Sequence, residues 1–183
     1  GPIGEYFVIE GIVARNSVDS VVFVRGDHNK FRRVSAYNAN TDDNSHVYTI
    51  WAQDTLLEDC VAAGTGRDLI LIYQTENNII RRCFTAWTQW DGRNFCGVTW
   101  PNGNNIVIYN ASNNLIENSI AFGSAPGSGI LVQANADQVS ANNNRILGSM
   151  AVYSGMNRNG TVREWASTRP KPTTCDGMTD FNW

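Results

Sequence analysis

The sequence predicts an all-β repeat protein in which about six coils of short parallel strands stack into a solenoid. Three observations support this prediction: a motif that recurs along the chain, short β-branched runs between turn residues, and aligned columns of similar residues. The motif is clearest in "NNIIRRCFTAW" at residues 77–87 and "NNLIENSIAFG" at residues 113–123. These two segments keep the same order of polar, apolar and small residues although their charges differ.

Each copy of the motif can be aligned on one apolar anchor residue. The anchors are Ile9, Phe31, Leu57, Ile80, Ile116 and Ile146, which are separated by 22, 26, 23, 36 and 30 residues. Runs such as "SVVFV", "DLILIY" and "NIVIY" lie between Asn, Gly, Asp and Ser residues, so each unit consists of strands and turns. A unit of about 22 residues accommodates one coil, and successive coils then stack about 4.8 Å apart.

Two columns of the alignment are predicted to point into a narrow coil interior. The residues three places after the anchor are Ile12, Val34, Cys60, Cys83, Ser119 and Ser149. The residues five places after it are Ala14, Ala36, Ala62, Thr85, Ala121 and Ala151. Small or apolar side chains recur in both columns, as stacking in a confined interior requires. Cys60 and Cys83 are therefore predicted to be buried thiols rather than a disulfide.

Two further columns are polar. Two places before the anchor stand Asn29, Asn78, Asn114 and Asn144, with Thr55 in the third copy. Such an Asn ladder is expected to adopt left-handed backbone angles at a bend and to bond each amide to the next coil. One place after the anchor the charges alternate as Glu10, Arg32, Glu58, Arg81 and Glu117. Stacked opposite charges disfavour a slip by one coil, so this column is interpreted as register control.

With these columns the chain resembles the right-handed parallel β-helix proteins of the pectate-lyase-like superfamily, over roughly residues 4 to 156. The resemblance implies a right-handed parallel β-helix. It implies little about activity, because that superfamily holds polysaccharide lyases, hydrolases, phage tailspikes, surface adhesins and non-catalytic scaffolds.

The predicted organisation is one solenoid domain followed by a tail. Residues 1–156 form the coils, and an insertion at 87–104 carries Trp87, Trp90 and Trp100 on one face. Residues 157–183 show no strand period and are predicted to be irregular. This tail either packs on the coils or leads into a region missing from the sequence.

Composition limits the partners and the compartment. A net charge of −3 with 17% charged residues gives no basic face, so nucleic acid is not expected. No run of 18 apolar residues exists, so no membrane span is expected. A disulfide between Cys96 in the insertion and Cys175 in the tail would pin the tail to the coils. It would indicate an oxidising compartment, so we expect an extracellular, cell-surface or periplasmic location.

One outward column of the longer strands is rich in aromatic residues. Val24, Ile50, Ile72, Ile108 and Val132 align as inward residues, and the next residues are Arg25, Trp51, Tyr73, Tyr109 and Gln133. Three successive aromatics predict a flat strip on which sugar rings stack, with the three tryptophans of the insertion as further ligand-binding candidates. The alternatives are that the tail or the tryptophan loop covers the strip, or that it binds a protein partner.

A cluster of carboxylates at one turn gives a catalytic alternative. Asp27, Asp54 and Glu76 fall three or four places before the anchors, and His28 and Arg25 lie beside the first. Separations of about 5 Å and about 10 Å between coils would suit glycosidase carboxylates or Ca²⁺, the one cofactor considered. Acidic residues are also common in turns, and no catalytic motif of the lyase or hydrolase families matches. No catalytic residue is therefore assigned.

The sequence thus favours a non-catalytic scaffold at the cell surface that binds a polysaccharide or a neighbouring protein subunit through the aromatic strip. One rival is a polysaccharide lyase or glycoside hydrolase that uses the acidic turn. Another is a structural subunit that assembles end to end into a fibre, as a homo-oligomer or as part of a larger assembly.

Overall fold

A computed structural model of the chain describes residues 4–40, 44–89, 103–124, 127–134 and 140–154. Every regular element in these residues is a β-strand, and the strands, numbered β1 to β17 in chain order, form three parallel sheets. Among the described residues no helix has the length and apolar composition needed to cross a membrane. The predicted all-β solenoid of stacked coils is confirmed.

Each turn of the chain contributes one strand to each sheet. The first sheet contains β1 (Val8–Glu10), β4 (Lys30–Arg32), β7 (Leu56–Glu58), β10 (Ile79–Arg81), β13 (Leu115–Glu117) and β16 (Arg145–Leu147). The second contains β2 (Val13–Arg15), β5 (Ser35–Tyr37), β8 (Val61–Thr65), β11 (Phe84–Gln89), β14 (Ile120–Ser124) and β17 (Met150–Ser154). The third contains β3 (Val22–Val24), β6 (His46–Ile50), β9 (Asp68–Tyr73), β12 (Asn104–Tyr109) and β15 (Ile130–Gln133). The described chain therefore makes about five turns, and β16 and β17 begin the sixth coil.

The register of the first two sheets follows the sequence alignment. Each anchor pairs with the anchor of the next coil, from Ile9 with Phe31 through to Ile116 with Ile146. The small-residue column pairs in the same way, from Ala14 with Ala36 to Ala121 with Ala151. Because both columns are buried in the middle coils, the aligned residues form the core of the solenoid. Ile12 was predicted to be buried but is 46% exposed, since it lies in the first coil.

Cys60 and Cys83 are buried, and both are free thiols, as the sequence favoured. A side-chain hydrogen bond between Cys60 and Cys83 lowers the pKa of Cys60 to about 7 despite its burial. The same hydrogen bond and burial raise the pKa of Cys83. Nearby, the Tyr48 hydroxyl donates to the Val34 carbonyl oxygen (2.9 Å), and burial raises the Tyr48 pKa far above its ordinary value.

The Asn ladder joins consecutive coils as predicted. The backbone N–H of Thr55 donates to Asn78 Oδ1 (2.9 Å), and those of Asn78 and Asn114 donate to the next Asn in the ladder (2.9 and 3.0 Å). The prediction of left-handed angles at these residues is wrong. The positive φ values occur one residue earlier, at Tyr6, His28, Asp54, Asn77, Asn113 and Asn143. The ladder amides must point inward to reach the preceding coil, so the sharp bend falls on the residue before them.

The alternating charges form a ladder of ion pairs from Arg32 to Glu117 on the first sheet. Arg32 Nε lies 3.1 Å from one Glu58 oxygen, and Arg81 Nη1 lies 3.5 Å from the other. Arg81 Nε also donates to Glu117 Oε2 at 2.9 Å. Glu10 is in register with Arg32 but pairs with Arg33 instead. The charge column therefore has the stacked arrangement that the sequence predicts.

Candidate functional site

The outer face of the third sheet carries a cavity of about 210 Å³. Three columns of outward side chains line this cavity, which we call the groove. The aromatic column contains Trp51, Tyr73 and Tyr109 and continues to Gln133. The floor contains Thr49, Leu71, Val107 and Leu131. The polar column contains His46, Asp68 and Asn104, with Asn44 and Arg67 beside it.

The groove arises from the alternation of side chains along β9 and β12. In β9, Ile70 and Ile72 point into the solenoid core, and Leu71 and Tyr73 therefore point outward. Parallel pairing in register repeats each inward or outward side-chain direction in the neighbouring coil, so Leu71 lies beside Val107. Each outward position thus becomes a column of similar residues across the sheet.

The aromatic column lies where the sequence places it, at the carboxyl ends of the strands. Tyr73 pairs with Tyr109, and Tyr109 pairs with Gln133. The ring centroids are 5.7 Å apart for Trp51 and Tyr73 and 5.5 Å apart for the two tyrosines. Trp51 is 49% exposed, whereas the tyrosines are half-buried.

The rings of the aromatic column contact each other instead of forming a flat strip. The two tyrosine rings are stacked with an interplanar angle of 21°, so their faces are turned toward each other along the column. Side chains in neighbouring parallel strands are held about 4.8 Å apart, and this spacing brings outward rings into stacks. The two tyrosines therefore present ring edges rather than ring faces to the groove.

Two residues extend this aromatic surface at the first coil. The Arg25 guanidinium lies 5.5 Å from the Trp51 ring and 4.5 Å from the Phe23 ring. Phe23 also meets Trp51 edge-on, with ring centroids 5.3 Å apart. Arg25 was a sequence candidate, but Phe23 was missed because it occupies a different outward column in β3. The result is an exposed cation held over aromatic rings at one end of the column.

The polar column was not found by sequence reasoning. His46 and Asn104 both pair with Asp68 in register. His46 Nδ1 lies 3.0 Å from Asp68 Oδ2, and the Asn104 side chain donates to Asp68 Oδ1 at 2.8 Å. The side chains of His46 and Asp68 are only 5% and 6% exposed. The signal is present in the sequence, since "HVYTI", "DLILIY" and "NNIVIY" each begin with a polar residue, but it is apparent only once the strand starts are known.

The acidic turn shows a different arrangement, in which each carboxylate contacts a nearby turn residue. The contacts are Asp27 Oδ1 with the Gln53 N–H (2.8 Å), Asp54 Oδ2 with His28 Nδ1 (3.5 Å), and Glu76 Oε2 with Asn113 Nδ2 (3.1 Å). Within the described ranges no group of three or more His, Cys, Asp or Glu side chains is placed to hold a metal ion. These contacts are typical of turn stabilisation.

Several sequence candidates lie elsewhere or outside the described residues. Trp87 ends the regular part of β11 in the second sheet and packs edge-on against Phe122, with ring centroids 5.1 Å apart. It does not line the groove. Trp90, Trp100, Cys96 and Cys175 lie outside the described residues, as do the tail at 157–183 and the proposed boundary at 156.

Comparison with protein-family models finds none that matches this chain, and comparison with curated proteins finds no similar sequence. The parallel β-solenoid fold therefore rests on the strand topology itself.

Proposed function

We propose that this chain is a non-catalytic β-solenoid scaffold of the cell surface or extracellular space that binds a polysaccharide in the groove. The observation that supports it most is that Trp51, Tyr73 and Tyr109 line one cavity together with apolar and polar side chains. Binding sites for small ligands are concave and combine aromatic and apolar side chains with polar groups that fix orientation. Sugars match such a surface because they have apolar C–H faces and many hydroxyl groups.

The ring geometry indicates how a sugar would bind. Aromatic edges carry a partial positive charge, so the edges of Tyr73 and Tyr109 favour sugar oxygens. The phenol hydroxyls can donate and accept hydrogen bonds with sugar hydroxyls. The site would therefore bind by edge contacts and hydrogen bonds more than by stacking on ring faces.

Affinity gel electrophoresis tests this proposal. The protein would be run through gels that contain dextran, xyloglucan or alginate, with and without Ca²⁺, and new reducing ends would be measured in parallel incubations. We expect retardation by at least one of these polysaccharides and no new reducing ends. The double variant Tyr73→Ala, Tyr109→Ala should lose the retardation while its melting temperature stays close to that of the parent protein.

Phe84→Ala is the matched control. Phe84 is an outward aromatic residue of the second sheet and is 41% exposed, so its removal should leave the retardation unchanged. Equal loss in both variants would show nonspecific adhesion and contradict the proposal. New reducing ends that disappear in Asp54→Asn would replace it with the lyase or hydrolase alternative.

A second candidate function, end-to-end assembly, is supported by the two ends of the solenoid. Val8 and Val13 of the first coil are 59% and 67% exposed, and Ile146 and Met150 of the last coil are 46% and 56% exposed. Strands at the end of a sheet leave backbone groups open to another chain. Light scattering over a range of concentrations tests it: growth of the particle mass with concentration supports assembly, and a constant monomer mass excludes it.

A further inference from the structure

The groove has two chemically different ends. The strand β9 begins with Asp68 and ends with Tyr73, so the polar and aromatic columns lie at opposite ends of the strands. Five residue steps of about 3.3 Å separate them by about 16 Å. The floor of Thr49, Leu71, Val107 and Leu131 lies between the columns. A ligand that contacts both ends must extend along the strands.

The polar column is costly to bury unless its groups are satisfied. A His and an Asp side chain that are each about 95% buried lose most of their hydration. Asp68 Oδ1 is well satisfied, because it accepts from the backbone N–H of Asn104 (3.2 Å) and from its side chain (2.8 Å). Asn104 therefore holds the carboxylate in place.

His46 is less well satisfied than its partner. Its Nδ1 contacts Asp68 but lacks a well-directed hydrogen bond with any described residue, although the atom is fully buried. The ring forms part of the cavity wall. A buried imidazole with unused hydrogen-bonding capacity beside a cavity is suited to bind a polar ligand group.

We propose that the polar column of His46, Asp68 and Asn104 is a subsite for the hydroxyl groups of a neutral sugar residue. An oligosaccharide would then cross the solenoid along the strands, from the aromatic column over the floor to the polar column. This inference rests on the proposed polysaccharide function and deepens it. The aromatic column alone would instead favour a glycan that runs along the solenoid axis.

The charges at this end select a neutral sugar. The Asp68 carboxylate lines the cavity and repels a carboxylate or sulfate group. The paired carboxylate and amide oxygens accept from sugar hydroxyls, and the imidazole can donate or accept. A neutral pyranose supplies hydroxyl groups for all of these contacts without burying a further charge.

Calorimetric titration with cellohexaose, maltohexaose and mannohexaose, and with the trisaccharide of each series, tests the subsite. His46→Gln and Asp68→Asn should weaken binding of the hexasaccharide about tenfold, the effect of losing one hydrogen bond to a charged or buried partner. The trisaccharide, held by the aromatic column, should bind all variants equally. His28→Gln is the matched control, because His28 also faces a carboxylate but lies at the exposed acidic turn.

Imidazole NMR gives a second readout on the unmodified protein, in which the polar column is intact. The chain contains 2 histidines, so His28→Gln assigns both ring signals. The His46 signals should shift when the hexasaccharide is added to the unmodified protein, whereas the His28 signals should stay in place.

The two proposals fail in different ways. If Tyr73→Ala, Tyr109→Ala abolishes binding but His46→Gln does not, and the His46 signals do not shift, the glycan does not reach the polar column and this inference is overturned. The proposed function would still stand in that case. If none of the oligosaccharides or polysaccharides binds the unmodified protein, both proposals are refuted together.

Discussion

The first and third sheets both stack their outward side chains in register, but the resulting columns have different roles. On the first sheet, outward Glu and Arg side chains alternate, and Glu58 contacts arginines on both neighbouring coils. On the third sheet, the outward column of His46, Asp68 and Asn104 lines a cavity, and the imidazole keeps unused hydrogen-bonding capacity. On the first sheet each charge lies beside an opposite charge on the next coil; Arg32 Nε also lacks a well-directed hydrogen bond, but Arg32 does not line the groove. On the third sheet the incompletely satisfied imidazole lies in the wall of a cavity.

This difference separates structural from functional polar columns in a solenoid. Parallel pairing in register places like positions beside each other in every coil, so any outward column becomes a ladder. A ladder whose members satisfy one another contributes to register and stability. A ladder that is buried and only partly satisfied has a cost that a bound partner can offset. The following predictions test this distinction, beginning with the largest expected effect.

Asn78→Ala should destabilise the solenoid most. Asn78 is fully buried and accepts from the Thr55 N–H at 2.9 Å, so its removal leaves that buried donor unpaired. We expect a loss of about 2–3 kcal/mol in the free energy of unfolding, measured by urea denaturation. A loss as small as that of an exposed substitution would show that the Asn ladder does not support the fold.

Glu58→Gln should be the next most damaging change. The Glu58 side chain is 14% exposed and lies within 3.5 Å of Arg32, Arg81 and Arg82. Removal of its charge should cost about 1–2 kcal/mol, and the cost should shrink at high salt. Glu117→Gln is the control with fewer partners and should cost less. Equal effects of the two changes would weaken the contrast between the first and third sheets.

Thr55→Asn should stabilise the protein. Thr55 is the one position of the five where the ladder lacks Asn, and its hydroxyl bonds to the Gln53 carbonyl of the same turn instead. An amide at this position can accept from the Asn29 N–H, as Asn78 does from Thr55, and should add about 1 kcal/mol. Thr55→Val, which has no amide, should not raise the melting temperature. If the Asn variant is no more stable than the Val variant, the ladder bonds are individually unimportant.

Asp59→Asn should give the smallest effect, and this effect should disappear in acid. Arg82 donates two hydrogen bonds to its carboxylate (2.7 and 3.0 Å), and this lowers the pKa of Asp59 in the folded protein. Its stabilisation is therefore present above the unfolded pKa of about 3.9 and is lost as the pH falls through the lower folded pKa. Melting temperatures of the parent protein and of Asp59→Asn should differ slightly at pH 7 and converge as the pH falls through the folded pKa of Asp59. A constant difference would exclude this pair as a pH-dependent contribution.

The sequence predicted the solenoid well because each coil repeats the same spacing of apolar, small and polar residues. The anchors from Ile9 to Ile146 and the small residues from Ala14 to Ala151 are aligned by spacing alone, and the structure pairs them in that register. The bend in each coil was placed one residue too late, because an Asn is compatible both with a left-handed bend and with an inward ladder. Asn77 and Asn78 are adjacent and take these two roles separately.

The groove was only partly predictable. Tyr73 and Tyr109 follow buried aliphatic runs directly, so the alternation of the strand assigns them outward and their stacking follows. His46 and Asp68 stand at the starts of strands whose first residues were not identified from sequence. Their positions relative to the repeat anchors also differ, since the loops that precede them vary in length.

The amino-acid sequence by itself determined the repeat, the stacking register of the first two sheets and the alternating charges, because these depend on spacing within each coil. Only the tertiary structure decided that Phe23 and Arg25 flank Trp51, that the tyrosine rings present their edges, and that His46, Asp68 and Asn104 meet at one cavity. The physical reason is that such contacts join residues from different coils across loops of unequal length. Their meeting depends on where each strand begins, which the folded stack of sheets sets.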